Sequence, residues 1–273
     1  MNQTFSFQRW SLLVAKHWAE NRRRYLLSIV AFMSLIMVWY VFVMLTDLQD
    51  PLAKGLQHIT FYFSLFIVGP FYASQFFKSL GSKSKAVDYL MVPSSTLEKT
   101  IVGIFYVVVL FPIVFTAAFY LVDAIAVSFA NLFHPSYNTD GANVAQITNV
   151  FHLNDDGVNP APYILLLFFA IQSAFLLGSV YFAQYSYVKT AIGLSLVCLI
   201  VAFVGIYLPS EAMPRGGFYK SPVEYMIYSE NWEDRKMVAL PGWIGEVLKY
   251  IFLYAFHPIF WVTTYFRLKE KEV

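Results

Sequence analysis

The sequence predicts an all-α integral membrane protein in which six transmembrane helices follow an N-terminal amphipathic helix, with both termini in the cytoplasm. Three observations predict this fold: the composition, the lengths of the apolar runs and the distribution of basic residues. Of the 273 residues, 58% are apolar and only 13% are charged, whereas soluble domains carry about 25% charged residues. Such a composition suits helices surrounded by lipid rather than by water.

Six apolar runs are long enough to cross a bilayer, whose hydrocarbon core of about 30 Å needs roughly 20 residues of helix. In lipid the backbone polar groups must be bonded within their own segment, so these runs should be helical. We therefore expect one transmembrane domain over residues 25–273. Its spans are predicted at 25–46, 59–77, 101–122, 162–183, 190–208 and 247–266, with long outer loops at 123–161 and 209–246.

The basic residues orient these spans, because cytoplasmic segments next to membrane-spanning helices carry an excess of Lys and Arg. With the N-terminus in the cytoplasm, 13 of the 19 basic residues lie on that side, against five of the 17 acidic ones. Residues 128–161, in the first outer loop, include no Lys or Arg. The cytoplasmic bases are Arg9, Lys16, Arg22, Arg23, Arg24, Lys78, Lys83, Lys85, Lys99, Lys189, Arg267, Lys269 and Lys271.

Residues 1–24 are predicted to form an amphipathic helix on the cytoplasmic membrane surface. Aromatic and apolar residues recur near one face at helical spacing, while Arg9, Lys16 and Glu20 lie away from it. This pattern is typical of an interfacial helix; the simpler alternative is a run of positive charge before the first span. We expect no cleaved signal peptide, because the first apolar run is too long and no small-residue cleavage site follows it. The residues of the apolar face are Phe7, Trp10, Val14, His17 and Trp18.

The sequence lacks the residue motifs on which several kinds of catalysis and metal binding depend. The sequence has no P-loop, no His-Glu-x-x-His zinc motif and no Gly-x-Ser-x-Gly nucleophile elbow. Its single cysteine, Cys198, excludes a disulfide within the chain and a cysteine-based metal cluster. We therefore expect no catalytic site, no cofactor and no metal ion, and a net charge of only +2 gives no case for a nucleic-acid partner.

The loop between spans two and three, residues 78–99, is the most informative part of the sequence. Pro93 breaks any helix that precedes it, and the segment from Ser95 to Glu98 fits a capping box, which starts a new helix. We expect a short helix over 85–91, a break, and then a capped helix that runs into span three. The result would be a small, rigid, basic projection; the alternative is a plain hairpin between two spans.

Residues 89–103, which read YLMVPSSTLEKTIVG, resemble the corresponding loop of ABC-2-type transporter permeases. The resemblance implies a permease in a bacterial inner membrane whose loop forms a coupling helix and docks on a separate ATPase subunit. It also implies an assembly of two permease chains, identical or different, with two ATPase subunits. The long first outer loop departs from the family, which leaves the subfamily and the substrate open. The positions expected nearest the ATPase are Asp88, Tyr89, Leu90, Pro93 and Glu98.

A few polar side chains fall at or near membrane depth. His257 precedes Pro258 in the middle of span six and must face protein or water rather than lipid. It could be hydrogen-bonded to another helix, line or gate a pathway, or bind a metal ion. Gln172 is expected to serve helix packing first and pathway lining second. Asp123 ends the third run, either as an interfacial acid that reaches water or as a contact for substrate or an ion.

Prolines within spans two, three and six predict kinks in these helices, because a proline leaves a backbone carbonyl without its helical donor. In span six, Pro258 should free the carbonyl of Tyr254 in this way. The corresponding prolines of spans two and three are Pro70 and Pro112.

Taken together, the sequence favours the membrane-spanning subunit of an ATP-driven exporter of the ABC-2 type. Its substrate could be a lipid, a glycan, a drug or a peptide. The alternative is a membrane protein that transports nothing, either a sensor or an assembly scaffold that binds a partner through its outer loops. An intramembrane enzyme is a third class, but the sequence offers no catalytic pair for it.

Overall fold

The computed structural model describes residues 5–46, 52–133, 145–153, 159–212, 218–221, 224–227, 236–239, 243, 247 and 250–272. Eight α-helices lie in these ranges, together with one 3-10 helix, two π-helical segments and three short strands. The helices are α1 (Phe7–Thr46), α2 (Lys54–Gln75), α3 (Lys83–Leu90), α4 (Thr96–Ile104), α5 (Phe111–Phe133), α6 (Ala161–Tyr181), α7 (Ser186–Ala212) and α8 (Phe256–Glu272). The 3-10 helix is Lys78–Gly81, and the π-helical segments are Phe105–Leu110 and Ile251–Ala255.

Four helical segments are long and apolar enough to cross a membrane, which supports the predicted class of membrane protein. Neither α2 nor the described part of the last span is among them. In α2, polar side chains are interspersed with the apolar ones, and they are buried within the protein: Gln57, Thr60, Ser64 and Ser74. The four segments are Phe7–Thr46, Thr96–Leu132, Ala161–Tyr181 and Ser186–Phe203.

Helix α1 is one continuous helix of 40 residues, so the structure has no break at residue 24, where the amphipathic segment was expected to end. The predicted boundary followed a change in polarity, but residues 7–46 include no glycine or proline that would stop a helix. His17 Nε2 lies 2.6 Å from Tyr25 Oη, although eight residues of helix span about 12 Å. These two side chains therefore bridge the polar and apolar halves of α1.

Contacts between the helices gather both chain termini at one end of the bundle. The backbone nitrogen of Ser6 bonds Glu98 at the start of α4, and Lys271 Nζ bonds the carbonyl of Val180 at the end of α6. We call this the basal end; it comprises the two described terminal segments, the 76–98 loop and the 182–185 link. The opposite, distal end carries residues 145–153, where Thr148 N bonds Gln57 Oε1 at the start of α2.

The third helical segment extends beyond its predicted end. Helix α5 runs to Phe133 rather than stopping near Asp123, because residues 124–133 are mostly apolar and the next helix breaker is Pro135. Part of the predicted first outer loop, residues 145–153, packs back on the bundle. There Tyr62 Oη donates to the carbonyl of Val150, whose own nitrogen donates to Tyr120 Oη.

The second outer loop differs from the all-α prediction. Helix α7 continues to Ala212, and three four-residue strands follow: β1 (Phe218–Ser221), β2 (Glu224–Ile227) and β3 (Lys236–Ala239). They form an antiparallel sheet in the order β1-β2-β3. Such short strands give too few residues for a periodic signal among the Gly and Pro of this loop. Other polar and glycine residues of the two outer loops, such as Asp140, Asp155 and Gly216, lie outside the described residues.

The core consists of two apolar clusters stacked along the bundle. The distal cluster joins α1, α2, α5 and α6, with Phe61, Phe119 and Phe168 fully buried. The basal cluster joins α2, α6 and α8 with the π-helical segment that precedes α5, around Phe77 and Leu176. The 76–98 loop contributes Phe77 and Leu80 to the basal cluster, so it packs directly against these helices.

Candidate coupling surface at the basal end

The loop between α2 and α4 is held tightly against the rest of the bundle. Phe77 and Leu80 point into the basal cluster, with 1% and 8% of their surface exposed. Gly81 approaches the 182–185 link so closely that an added Cβ would come within 3.0 Å of the carbonyl oxygen of Ala183. Only glycine fits this contact between a loop and the backbone that joins α6 to α7.

The capping box predicted at the start of span three is confirmed. The Glu98 backbone nitrogen donates to Ser95 Oγ at 3.2 Å, and the Ser95 nitrogen donates to Glu98 Oε2 at 2.9 Å. Helix α4 accordingly begins at Thr96, while α3 ends at Leu90, so the predicted order of short helix, break and capped helix is also confirmed. Reciprocal bonds of this kind satisfy donors at the helix N-terminus that would otherwise be unpaired.

The second carboxylate oxygen of Glu98 binds the other end of the sequence. Glu98 Oε1 accepts a hydrogen bond of 2.7 Å from the backbone nitrogen of Ser6 and lies 3.0 Å from Arg9 Nη2. Ser6 immediately precedes α1, so this one carboxylate bonds the backbone at the N-termini of α1 and α4 together. Negative charge is stabilised at such positions because helix N-termini carry a partial positive charge.

Electrostatics keep Glu98 ionised although it is fully buried. Burial alone raises the pKa of this carboxyl, but the hydrogen bonds from the Ser95 and Ser6 nitrogens and the Arg9 guanidinium outweigh it, so that its pKa falls below the usual value. Glu98 was expected to lie near the ATPase. That expectation stays a prediction; within the described residues the Glu98 carboxylate bonds the N-termini of α1 and α4 and positions these helices against each other.

The other four predicted coupling residues lie on or beside α3. Asp88 and Pro93 are exposed, whereas Tyr89 is half-buried. The Tyr89 ring packs edge-on against Phe77 at 6.1 Å, and Lys99 Nζ lies 5.8 Å from its centre. Leu90 ends α3, but its side chain falls outside the described residues. Tyr89 therefore ties α3 to the basal cluster, while Asp88 and Pro93 remain accessible.

Sequence reasoning missed the exposed apolar residues of this loop. Val87 and Met91 are 54% and 77% exposed, and residues four apart share one face of a helix. Leu97 and Phe7, in the first turns of α4 and α1, are also exposed. In the sequence they are apolar residues within a polar, basic segment. A hydropathy value averaged over a window does not reveal such residues individually.

Beside the loop lies a cleft of about 800 Å³ between α1, the end of α2, α3 and the 182–185 link. Its wall includes His17, whose ring packs on Phe76 and Tyr106 at 4.7 and 4.6 Å. Burial lowers the pKa of His17, which is therefore neutral at pH 7. The lining residues are Leu13, Lys16, His17, Glu20, Asn21, Arg24, Gln75, Phe76, Lys78, Ser79, Gly81, Ser82, Lys85, Asp88, Tyr89 and Ala183.

Gln172 serves packing between α6 and the third helical segment. It is fully buried, and its Nε2 donates to the carbonyl of Val107 at 2.6 Å. In a π-helical segment that carbonyl would be bonded by the residue five positions later, which is Pro112 and has no N–H. The irregularity expected at Pro112 is therefore a π-helical segment, and Gln172 supplies the missing donor.

His257 also bonds a neighbouring helix. It is 8% exposed, and its Nε2 lies 3.0 Å from the carbonyl oxygen of Leu166. One turn further along, Trp261 Nε1 donates to Ser173 Oγ at 2.9 Å. A π-helical segment, Ile251–Ala255, again precedes the proline. Of the roles open to His257, the structure supports the hydrogen bond between helices.

Asp123 is not an interfacial acid that reaches water, because the structure buries it completely. It lies within α5 and faces α1, where Tyr40 is equally buried. Neither Asp123 oxygen nor Tyr40 Oη has a well-aligned hydrogen bond to a described residue. The helix continues for ten residues past Asp123, which explains why the acid is deeper than the polarity pattern predicted.

Within the described ranges no three His, Cys, Asp or Glu side chains come together as a metal site would require. Comparison with known proteins gives no match: no family model fits the chain, and no curated protein or solved structure is significantly similar to it.

Proposed function

We propose that this protein is the membrane-spanning subunit of an ATP-driven exporter of the ABC-2 type, with six crossings and both termini in the cytoplasm. The direction of successive helices supports six crossings. Helices α1 and α7 leave the basal end, α2 and α6 return to it, and α4 with α5 leaves it again. The described part of the last span runs parallel to α6, because residues 257, 261 and 271 contact residues 166, 173 and 180.

The observation that carries this proposal is the apolar surface of Val87 and Met91 on an anchored loop. A contiguous apolar patch outside the lipid zone is typical of a protein contact, and Val87 and Met91 lie four residues apart along the end of α3. The basic residues predict that this end lies in the cytoplasm, where an ATPase would dock. Hydrolysis of ATP would occur in that separate subunit, and this chain would contribute no catalytic residue.

The anchoring of the loop suggests how a movement of the ATPase would reach the spans. Glu98 ties the loop to α1 and α4, and the contact of Gly81 with Ala183 ties it to α6 and α7. A displacement of α3 would therefore act on four of the membrane helices at once. We further propose that two such chains enclose the pathway and bind two ATPase subunits.

A pull-down of the tagged full-length chain in mild detergent, followed by mass spectrometry, tests the docking surface. We expect a P-loop ATPase to co-purify with the wild type, and Val87→Ser with Met91→Ser to reduce its recovery about tenfold, as expected when a hydrophobic contact is lost. Ile147→Ser is the matched control, because Ile147 is 52% exposed at the distal end. Equal recovery from all three proteins would refute docking at this loop.

Gly81→Ala tests coupling separately from docking. The new Cβ would collide with the Ala183 backbone, so the loop should shift away from the 182–185 link while Val87 and Met91 stay exposed. We expect ATPase recovery to persist and ATP-dependent changes in the spans, followed by fluorescence of a probe on Cys198, to be lost. The control is Gly55→Ala, since an added Cβ at Gly55 meets nothing within 4 Å.

A scaffold or sensor that transports nothing is the second candidate, and residues 145–153 favour it. They form an ordered segment packed on the distal end with Ile147 and Phe151 exposed. In that case Ile147→Ser would release a partner other than an ATPase, and the change at Val87 and Met91 would have no effect.

A further inference from the structure

The cleft beside the coupling loop carries an excess of positive charge. Four of its lining residues are basic, namely Lys16, Arg24, Lys78 and Lys85, and two are acidic, Glu20 and Asp88. Lys16 lies 3.8 Å from Glu20, and both are exposed. Among the described residues, no carboxylate comes within ion-pair distance of the other three bases.

The wall of the cleft is partly apolar and partly lined by neutral hydrogen-bonding groups. Leu13, Phe76 and Tyr89 contribute apolar surface, and the neutral His17 ring adds to it. Asn21, Gln75, Ser79 and Ser82 contribute uncharged polar groups. A cleft lined by both basic and apolar residues matches an amphiphile that has a phosphate and an apolar part.

The position of the cleft matches the depth of lipid headgroups. Arg24 directly precedes the first apolar run, and Lys78 directly follows the second. Both therefore stand where these helices leave the predicted hydrocarbon core. A volume of about 800 Å³ lies within the range typical of small-molecule sites, roughly 300–1,000 Å³.

We propose that this cleft binds the phosphate of an anionic lipid headgroup from the leaflet at the basal end. The proposal does not depend on the ATPase, because the docking residues Val87 and Met91 do not line the cleft. A bound headgroup would bridge α1 and α3, and the lipid would thereby hold the coupling loop against the first helix.

The test uses the full-length chain in nanodiscs that contain phosphatidylglycerol and phosphatidylcholine, with retained lipids counted by native mass spectrometry. We expect selective retention of phosphatidylglycerol by the wild type. Lys78→Gln with Lys85→Gln should weaken it roughly twenty-five-fold, because each Lys or Arg near an anionic surface contributes about a factor of five. The matched control is Lys189→Gln with Lys269→Gln, which removes the same charge at the same end from exposed residues outside the cleft.

Equal retention of phosphatidylglycerol by the two double variants would overturn the proposal. It would show that lipid binding depends only on the total positive charge at the basal end. Displacement of the lipid by millimolar inorganic phosphate would also overturn it, in favour of a site for the free anion. Loss of a co-purified ATPase with unchanged lipid retention would assign the cleft to a protein partner instead. Thermal unfolding of each variant, followed by tryptophan fluorescence, identifies any loss that comes from misfolding.

Discussion

Helices α6 and α7 follow each other in the chain and are both long, apolar segments, yet their surroundings differ sharply. Half of the spanning window of α6 is buried inside the protein, against 6% of that of α7. Helix α6 packs on α2, α7 and α8, whereas the described side chains of α7 are mostly exposed beyond its first turn. One helix lies among three others, and the other leaves most of its described surface outside the bundle.

This difference shows that an apolar sequence predicts a membrane-spanning helix but does not predict where that helix lies within the protein. Lipid tails are as apolar as a packed core, so Leu and Ile gain little by moving from one to the other. The central helix is distinguished by small and polar residues that fit particular partners: Gln172, Ser173, Gly178 and Ser179, all buried.

The largest effect should come from filling the crossing point of the two helices. An added Cβ at Gly178 would come within 3.0 Å of the stiff, β-branched Thr190 side chain. We expect Gly178→Ala to lower the free energy of unfolding by about 3 kcal/mol, at the upper end for overpacking. Gly193→Ala, where nothing lies within 4 Å, should leave stability unchanged or slightly raised. Denaturant titration in detergent measures both, and similar losses would contradict the comparison.

A leucine pair tests burial directly. Leu176 of α6 is fully buried, while Leu199 of α7 is 65% exposed. Leu176→Ala should cost about 2 kcal/mol, at the lower end of the range for core truncations because lipid rather than water surrounds the unfolded helix. Leu199→Ala should change thermal stability by no more than about 0.5 kcal/mol, as surface substitutions do. A costly Leu199→Ala would instead show that α7 is covered by a second chain.

Gln172→Leu removes the donor that serves the carbonyl of Val107. We expect a loss of about 1 kcal/mol, because a buried carbonyl is left without a partner next to Pro112. Gln172→Glu is the informative companion, since its carboxyl can donate to the same carbonyl only when protonated. Its stability should therefore fall as pH rises, whereas that of Gln172→Leu should not. If the stability of both variants depended on pH in the same way, Gln172 would not be the donor to the Val107 carbonyl.

Ser173→Ala should have the smallest effect. It breaks the bond from Trp261 Nε1, and side-chain hydrogen bonds between membrane helices average about 0.6 kcal/mol. Trp261 would then lie beside a methyl group, so its fluorescence should shift even where the melting temperature barely moves. An unchanged spectrum would mean that the indole finds another acceptor. Ser195→Ala on α7, whose hydroxyl bonds only its own helix, serves as the control.

Much of the helical layout could be predicted from sequence because length and apolarity determine it. Spans four and five begin and end within a few residues of their predicted positions, and the capping box at Ser95 was predicted at its residues. The helix boundaries expected at residues 24 and 123 were wrong, because the polarity of the sequence changes there but no residue stops the helix. The six crossings and the orientation in the membrane stay predictions.

The contacts that organise the basal end could not be predicted, since they join residues far apart in sequence. The bond from Ser6 to Glu98 spans 92 residues, and no local pattern marks a carboxylate that serves two helices. The fit of Gly81 against Ala183 likewise depends on where the 182–185 link lies. Gln172 was correctly expected to pack, but its partner depended on a π-helical segment that propensity does not reveal.

The double role of Glu98 has a consequence for the synthesis of the chain. Helix α1 leaves the ribosome before α4, and the carboxylate that bonds its N-terminus follows 92 residues after Ser6. Until then Arg9 has no Glu98 to pair with, and the first helix enters the membrane without its final anchor. The N-terminus of α1 is therefore fixed only after Glu98 has been synthesised, and a bulky fusion placed directly before Ser6 would obstruct this late contact.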